Sequence, residues 1–312
     1  MTEEVESKAE KIRIHPILEK LRNNPVAGNG NNDYFSSFDN IRIFYRIWKP
    51  LKEVKKIVIV SHGMGGHGEF FVLLADKLVN HDIMVISPDY RNHGYSEGEK
   101  GDLKSFKLIV KDLSYFLNFI KEKYPDIPIF LFGESMGGIT TINFAKQYPN
   151  DFNELSGLIL FSPGIKPNFP KKFWIGIALI ALPLLLFRVL FPSKKIYSTE
   201  SDKDEGIKDP IHQRYDKEEP LHIKKLSIRY IHQVFKYMRK TSKIAPIISI
   251  PVIIFQGKLD KGISPEAVES FYEKLGTKDK ELYMIEEGYH ALITDPSFQD
   301  KWDVLLEWIK SH

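Results

Sequence analysis

A serine, an aspartate and a histidine carry the chemistry legible in this chain. Ser135 stands in GESMG (133–137), the G-x-S-x-G spacing of a nucleophile elbow, with the apolar run IPIFLF before it and a helix-like pattern after it. Alone, the motif leaves two readings, a reactive hydroxyl or the polar residue of a tight strand-to-helix turn. A serine hydroxyl is a weak nucleophile at neutral pH and needs a base. Asp260, in GKLDKGIS, follows the run PVIIFQG, and His290, in EEGYHALI, follows ELYMIEE. Singly, Asp260 reads as a solvated turn residue and His290 as a helix cap. Taken in order with Ser135, each just beyond a strand, they favour the reactive reading: His290 takes the serine proton and Asp260 orients and stabilises the imidazole.

Such chemistry also needs donors for a developing oxyanion. The backbone amide of Met136, directly after the serine, is one candidate. Met64, in the glycine-rich SHGMGGHG (61–68), is the other. His62 and His67 in that stretch lack further ligands at metal spacing and are read as shaping the loop, so no metal is expected. The stretch has neither the G-x-G-x-x-G nor the Lys-Ser/Thr of a phosphate cradle.

The elements that must hold these residues alternate. Strand patterns cover 41–48, 55–63, 82–90, 127–132, 155–163, 251–257 and 281–287. Helical spacing covers 69–79, 104–123, 136–148, 265–275 and 298–310. This α/β order implies a mostly parallel sheet covered by helices on both faces. It breaks once, between Pro163 and Ile250, and the insertion reads as a cap or lid. GNGNND (28–33) reads as a linker, preceded by a short helix or tail. The N-terminus lacks the basic start and apolar run of an export signal.

Composition narrows the field. A net charge of +3 over 312 residues gives no reason to expect a nucleic-acid partner. With no cysteine, disulfides, thiolate metal sites and a thiol nucleophile are excluded, and a reducing, cytoplasmic setting fits.

HGMGGHGEFF (62–71), PDYRNHGYSEG (88–98), GESMGG (133–138), GKLD (257–260) and GYHAL (288–292), in that order, resemble the monoacylglycerol lipase and lysophospholipase branch of the serine α/β-hydrolases. The likeness runs from about Tyr34 to the C-terminus. It implies an α/β-hydrolase fold with an eight-stranded sheet and a helical cap after strand six. It also implies ester hydrolysis through an acyl-enzyme without a cofactor, by Ser135, Asp260 and His290 with the Met64 and Met136 amides. The matching division is an extension over 1–33, a core over 34–162 and 251–312, and a cap over 163–250. Two places depart from the branch. Gly66 and Phe70 stand where a Glu and an Arg are usual, which puts a glycerol site built on those charges in question. Asn92 replaces the first Gly of R-G-H-G.

The insertion bears on the substrate. FWIGIALIALPLLLF (173–187) carries no charge and shows no polar face, yet falls short of the roughly 20 apolar residues of a membrane span. Lipid contact or the wall of an acyl tunnel is the expectation, with a buried helix and a true span as alternatives. Phe173, Trp174, Ile177, Leu184 and Phe187 are the expected pocket residues. Residues 163–250 hold 17 Lys and Arg against 8 Asp and Glu, a basic surface suited to an anionic bilayer. Residues 191–206 read as a lid loop. The expected activity is carboxylester hydrolysis of single-chain acyl lipids, monoacylglycerol or lysophospholipid, with peripheral membrane contact. A peptidase or short-chain esterase of the same fold and a non-catalytic ligand binder are the rivals.

Overall fold

Alternation along the central strands sets the layers of the molecule. The computed structural model describes residues 31–170, 181–198 and 206–312. β1 (Asn31–Ser36), β2 (Arg42–Trp48), β3 (Lys56–Ser61), β4 (Ile83–Pro88), β5 (Ile129–Glu134), β6 (Gly157–Phe161), β9 (Val252–Gly257) and β10 (Lys280–Ile285) form an eight-stranded sheet in the order β1-β2-β4-β3-β5-β6-β9-β10. β1 and β2 run antiparallel at one edge and the other six strands are parallel.

Side chains of a strand point alternately to its two faces. Ile57, Ile59, Ile129, Leu131, Leu158, Leu160, Val252 and Ile254 enter one core, and Val58, Val60, Phe130, Phe132, Ile159, Phe161, Ile253 and Phe255 enter the other. Helices α2 (Phe106–Lys123), α3 (Met136–Gln147) and α8 (Pro265–Glu273) close the first face. α1 (Val72–Val79) and α9 (Trp302–Ser311) close the second. The short α4 (Pro149–Asn153) follows α3.

Between β6 and β9 the chain leaves the sheet. This insert holds α5 (Ala181–Leu190), β7 (Lys195–Ser198), α6 (Pro210–Glu218), β8 (Lys225–Ser227) and α7 (Ile228–Thr241). It is not wholly helical, because β7 and β8 pair antiparallel. The stretch expected as a lid loop thus contributes a strand, and 199–205 lie outside the described residues. The expected linker also ends early: β1 begins at Asn31, pairing with Ile47. Period-two patterning is hard to see in NNDYFS, where Phe35 is the buried hydrophobic side chain. The rest of the N-terminal extension lies outside the described residues.

The loop after β4 is tied down by buried charge. Arg46 donates to Asp89 Oδ1 at 2.7 Å, and the Gly68 amide donates to the same oxygen at 2.7 Å. Arg91 forks onto Asp112 at 2.5 and 2.6 Å and reaches Asp39 at 2.9 Å. Asn92 has φ +67°, in the left-handed region where Asn is among the non-glycine residues best tolerated. Its side-chain Nδ2 also donates to the Asp102 carbonyl. The replacement of a glycine by Asn92 therefore keeps the turn. Asn92→Val, β-branched at positive φ, is expected to cost about 1–3 kcal/mol in urea unfolding, while Asn92→Gly stays close to the parent.

Candidate active site

Because β5, β9 and β10 are parallel, their carboxyl ends share one edge of the sheet, and Ser135, Asp260 and His290 each follow one of them. Ser135 sits between the end of β5 and the start of α3 with φ 52° and ψ −112°, a conformation that strains any side-chain-bearing residue. Its amide donates to the Phe161 carbonyl at 3.1 Å, and its carbonyl accepts from Gly138 at 3.0 Å and Gly164 at 2.9 Å. The flanking glycines are sterically required. A Cβ at Gly137 would collide with the Ser61 carbonyl oxygen, and one at Gly133 would lie 2.7 Å from the Gly137 carbonyl oxygen.

His290 Nε2 lies 2.9 Å from Ser135 Oγ, and His290 Nδ1 lies 2.7 Å from Asp260 Oδ2. Asp260 is almost wholly buried, and its other contacts are all with donors. Oδ1 accepts from the amides of Gly262 at 2.8 Å and Ile263 at 2.9 Å, and Oδ2 from Gln256 Nε2 at 3.1 Å. Burial alone would raise the Asp260 pKa. The charge and hydrogen bond of His290, with the Ile263 amide and Gln256, hold it below the ordinary value. An ionised Asp260 can only accept, so His290 Nδ1 carries the proton and Nε2 is left to accept from Ser135. Burial works against a charged imidazole, and Asp260 overrides it, with Glu134 adding to the effect. His290 is thereby raised above its ordinary 6.5.

The 61–68 stretch closes over Ser135. A Cβ at Gly63 would meet Ser135 Cβ at 3.7 Å. His62 accepts from the Tyr90 amide at Nε2, 3.0 Å, and donates from Nδ1 to the Gly63 carbonyl at 2.8 Å. Burial drives its pKa down to about 3, so it is a neutral fixture of the loop. Met64 lines the cavity at Ser135. Met136 is the first residue of α3, where amides have no intrahelical acceptor.

Sequence reasoning passed over several residues here. Glu134, inside the motif itself, lines the cavity beside Ser135; period two along β5 was the available signal. Tyr230, from α7, is fully buried. It donates to His93 Nε2 at 2.8 Å and lies 3.3 Å from Met136 Sδ. The Ile223 amide donates to the Gly65 carbonyl at 2.9 Å. No local signal marks these long-range contacts.

The cavity at Ser135 encloses about 320 Å³, and its walls are mainly apolar. Of the expected pocket residues, Phe173, Trp174 and Ile177 lie outside the described residues, and Leu184 falls in α5. Phe187 is not among the described residues that line this cavity. Its ring lies 5.2 Å from that of Phe191, tilted at 43°, at the end of α5, whose Leu185, Leu186, Val189 and Leu190 are exposed. Among the described residues, no helix is long and apolar enough to cross a membrane.

Residues 52–297 match the family described as serine aminopeptidase, S33. The chain belongs to this family. It is 30% identical to the monoglyceride lipase of Rattus norvegicus over 254 residues, 81% of each chain. It is also 30% identical to a monoglyceride lipase homolog of Monkeypox virus, over 82% of this chain and 89% of that one. A soluble variant of the Saccharomyces cerevisiae monoglyceride lipase, solved with a substrate analog, superposes with a TM-score of 0.79 at 25% identity, covering 91% of this chain and 95% of that one. With the sheet described above, these matches make the chain a serine ester hydrolase of the α/β-hydrolase fold.

An NMR titration of His290 is expected to give a pKa above 6.5. In Asp260→Asn the negative charge that favours the imidazolium is gone, so the titration moves to lower pH.

Proposed function

We propose that Ser135, His290 and Asp260 act as nucleophile, base and orienting acid in the hydrolysis of single-chain acyl lipids, monoacylglycerol or lysophospholipid. The continuous chain of hydrogen bonds from Asp260 through His290 to Ser135, opening on an apolar cavity, is the observation that carries this reading. Ser135 Oγ attacks the ester carbonyl carbon while His290 Nε2 takes its proton. The carbonyl oxygen becomes an oxyanion held by the amides of Met64 and Met136. Collapse expels the alcohol, which receives the proton from His290, and leaves an acyl-serine. Water, deprotonated by the same imidazole, attacks the acyl carbon and releases the fatty acid with Ser135 restored. The names of the relatives, monoglyceride lipases, support an acyl-lipid substrate. The family description also names aminopeptidases, so an aminoacyl amide is the second substrate class to assay.

The insert is the proposed membrane contact. Leu185, Leu186, Val189, Leu190 and Phe191 present exposed apolar surface. Arg188 bears electrostatically on His232, as do Lys236 and Arg239 of α7, which places cationic groups beside that surface. Such a face suits an anionic bilayer.

Ser135→Ala is expected to abolish hydrolysis of a long-chain monoacylglycerol, and a fluorophosphonate is expected to label Ser135 in the parent. Full activity in the variant would refute the mechanism. Because the base works as neutral imidazole, kcat/KM should fall as pH drops through the raised His290 pKa. In liposome flotation, the double variant Leu186→Glu/Leu190→Glu should lose binding to anionic vesicles; flotation equal to the parent's would refute the membrane face.

A further inference from the structure

Glu134 is a carboxyl group in an apolar setting. Period two along β5 sends Phe130 and Phe132 into the core beneath α1 and α9, and places Glu134 on the same side at the strand's open end. There the side chain lines the cavity with Phe70, Phe71, Leu73 and Ile293, next to Ser135. It makes no hydrogen bond and no salt bridge with any described residue, although His290 is near enough to act on it electrostatically. Burial pushes its pKa up to about 7, with the charge of His290 opposing. A half-buried carboxyl without a partner is costly unless something entering the cavity supplies a donor.

The remaining charges indicate what that donor is. Among the described residues lining the cavity there is no Lys or Arg. The second lining carboxylate, Asp216, is paired with His222 at 2.9 Å. A phosphate-bearing head group would meet carboxyl groups there with no described lysine or arginine in the lining to neutralise it, and the raised imidazole of His222 is already taken by Asp216. A neutral polyol would bring hydroxyl donors, which a carboxyl oxygen accepts in either protonation state.

We infer that Glu134 is a specificity-determining residue whose carboxyl oxygen accepts a hydrogen bond from a free hydroxyl of the leaving alcohol, selecting uncharged polyol esters. Its place on the elbow puts the acceptor beside the ester carbon, and not on the 61–71 stretch, where Gly66 and Phe70 offer no charge. This assignment rests on the ester-hydrolase reading above.

The experiment compares 1-oleoylglycerol, ethyl oleate and oleoyl lysophosphatidylcholine on the purified full chain. The parent should prefer 1-oleoylglycerol to both others. In Glu134→Ala the ratio of kcat/KM for 1-oleoylglycerol over ethyl oleate should fall about tenfold, the scale of one lost hydrogen bond to a substrate hydroxyl. Glu134→Gln retains an acceptor oxygen of nearly the same shape and should keep most of that ratio. An equal fall on both esters in Glu134→Ala would overturn the inference and make Glu134 a support of His290 or the elbow. Lysophosphatidylcholine turnover matching 1-oleoylglycerol in the parent would overturn the uncharged-head-group assignment. A parent inert on all three would overturn the hydrolase reading and this inference with it.

Discussion

The close crossing of the 133–137 elbow over the end of β3 is the constraint on which the rest of the site depends. Ser135 is held at positive φ, a state with an intrinsic cost for a residue bearing a Cβ. What offsets that cost is local and specific: the Ser135 carbonyl accepts from Gly138 and Gly164, and its amide reaches β6 at Phe161. The elbow can lie this close to β3 only because Gly137 presents no Cβ to the Ser61 carbonyl. The same closeness brings Gly63 against Ser135, since Ser61 and Gly63 belong to one continuous stretch. One steric allowance thus both lifts the hydroxyl and places the loop that carries Met64 above it.

The insert is stitched to each part of this arrangement. Ile223 holds Gly65, and Tyr230 packs on Met136 and bonds His93. The Ala291 amide, next to His290, donates to the Gly206 carbonyl at 2.9 Å. Just after β6, Asn168 Nδ2 donates to the Asp260 carbonyl at 2.7 Å, and the Ser264 amide reaches the Lys166 carbonyl at 2.9 Å. A segment that only covered the cavity would need none of these bonds. The geometry around Ser135, His290 and Asp260 is therefore a joint property of the sheet edge and the insert, which both line the cavity.

Much of this was legible in the sequence because it is local. The parallel strands announce themselves as short apolar runs ending at turn residues, and the elbow as two glycines around a serine. Asp260 and His290 stand out only by order and by following strands, yet the fold brings them within hydrogen-bond reach of one another. Edge strand β1 was hidden because NNDYFS is mostly polar and offers little to bury. β7 was hidden because KIYS is exposed along its whole length, so no burial pattern exists to be read. Tyr230 and Ile223 act across more than 90 residues of sequence, beyond the reach of any periodicity. Asn92 was visible as a departure, and only its backbone angle explains why the departure is harmless.

The electrostatics of the site follow from what each buried group can find. Asp260 finds four donors and stays ionised despite its burial. His290 inherits that charge and is held above its ordinary value even though burial opposes it. Glu134, directly before Ser135, finds no donor among the described residues, and burial prevails. Two carboxyls within reach of one imidazole are thus shifted in opposite directions, because one is saturated by donors and the other faces an apolar wall. That asymmetry leaves the imidazole governed by Asp260 on the side away from the cavity. The poorly satisfied acceptor is left on the cavity side, where a substrate arrives.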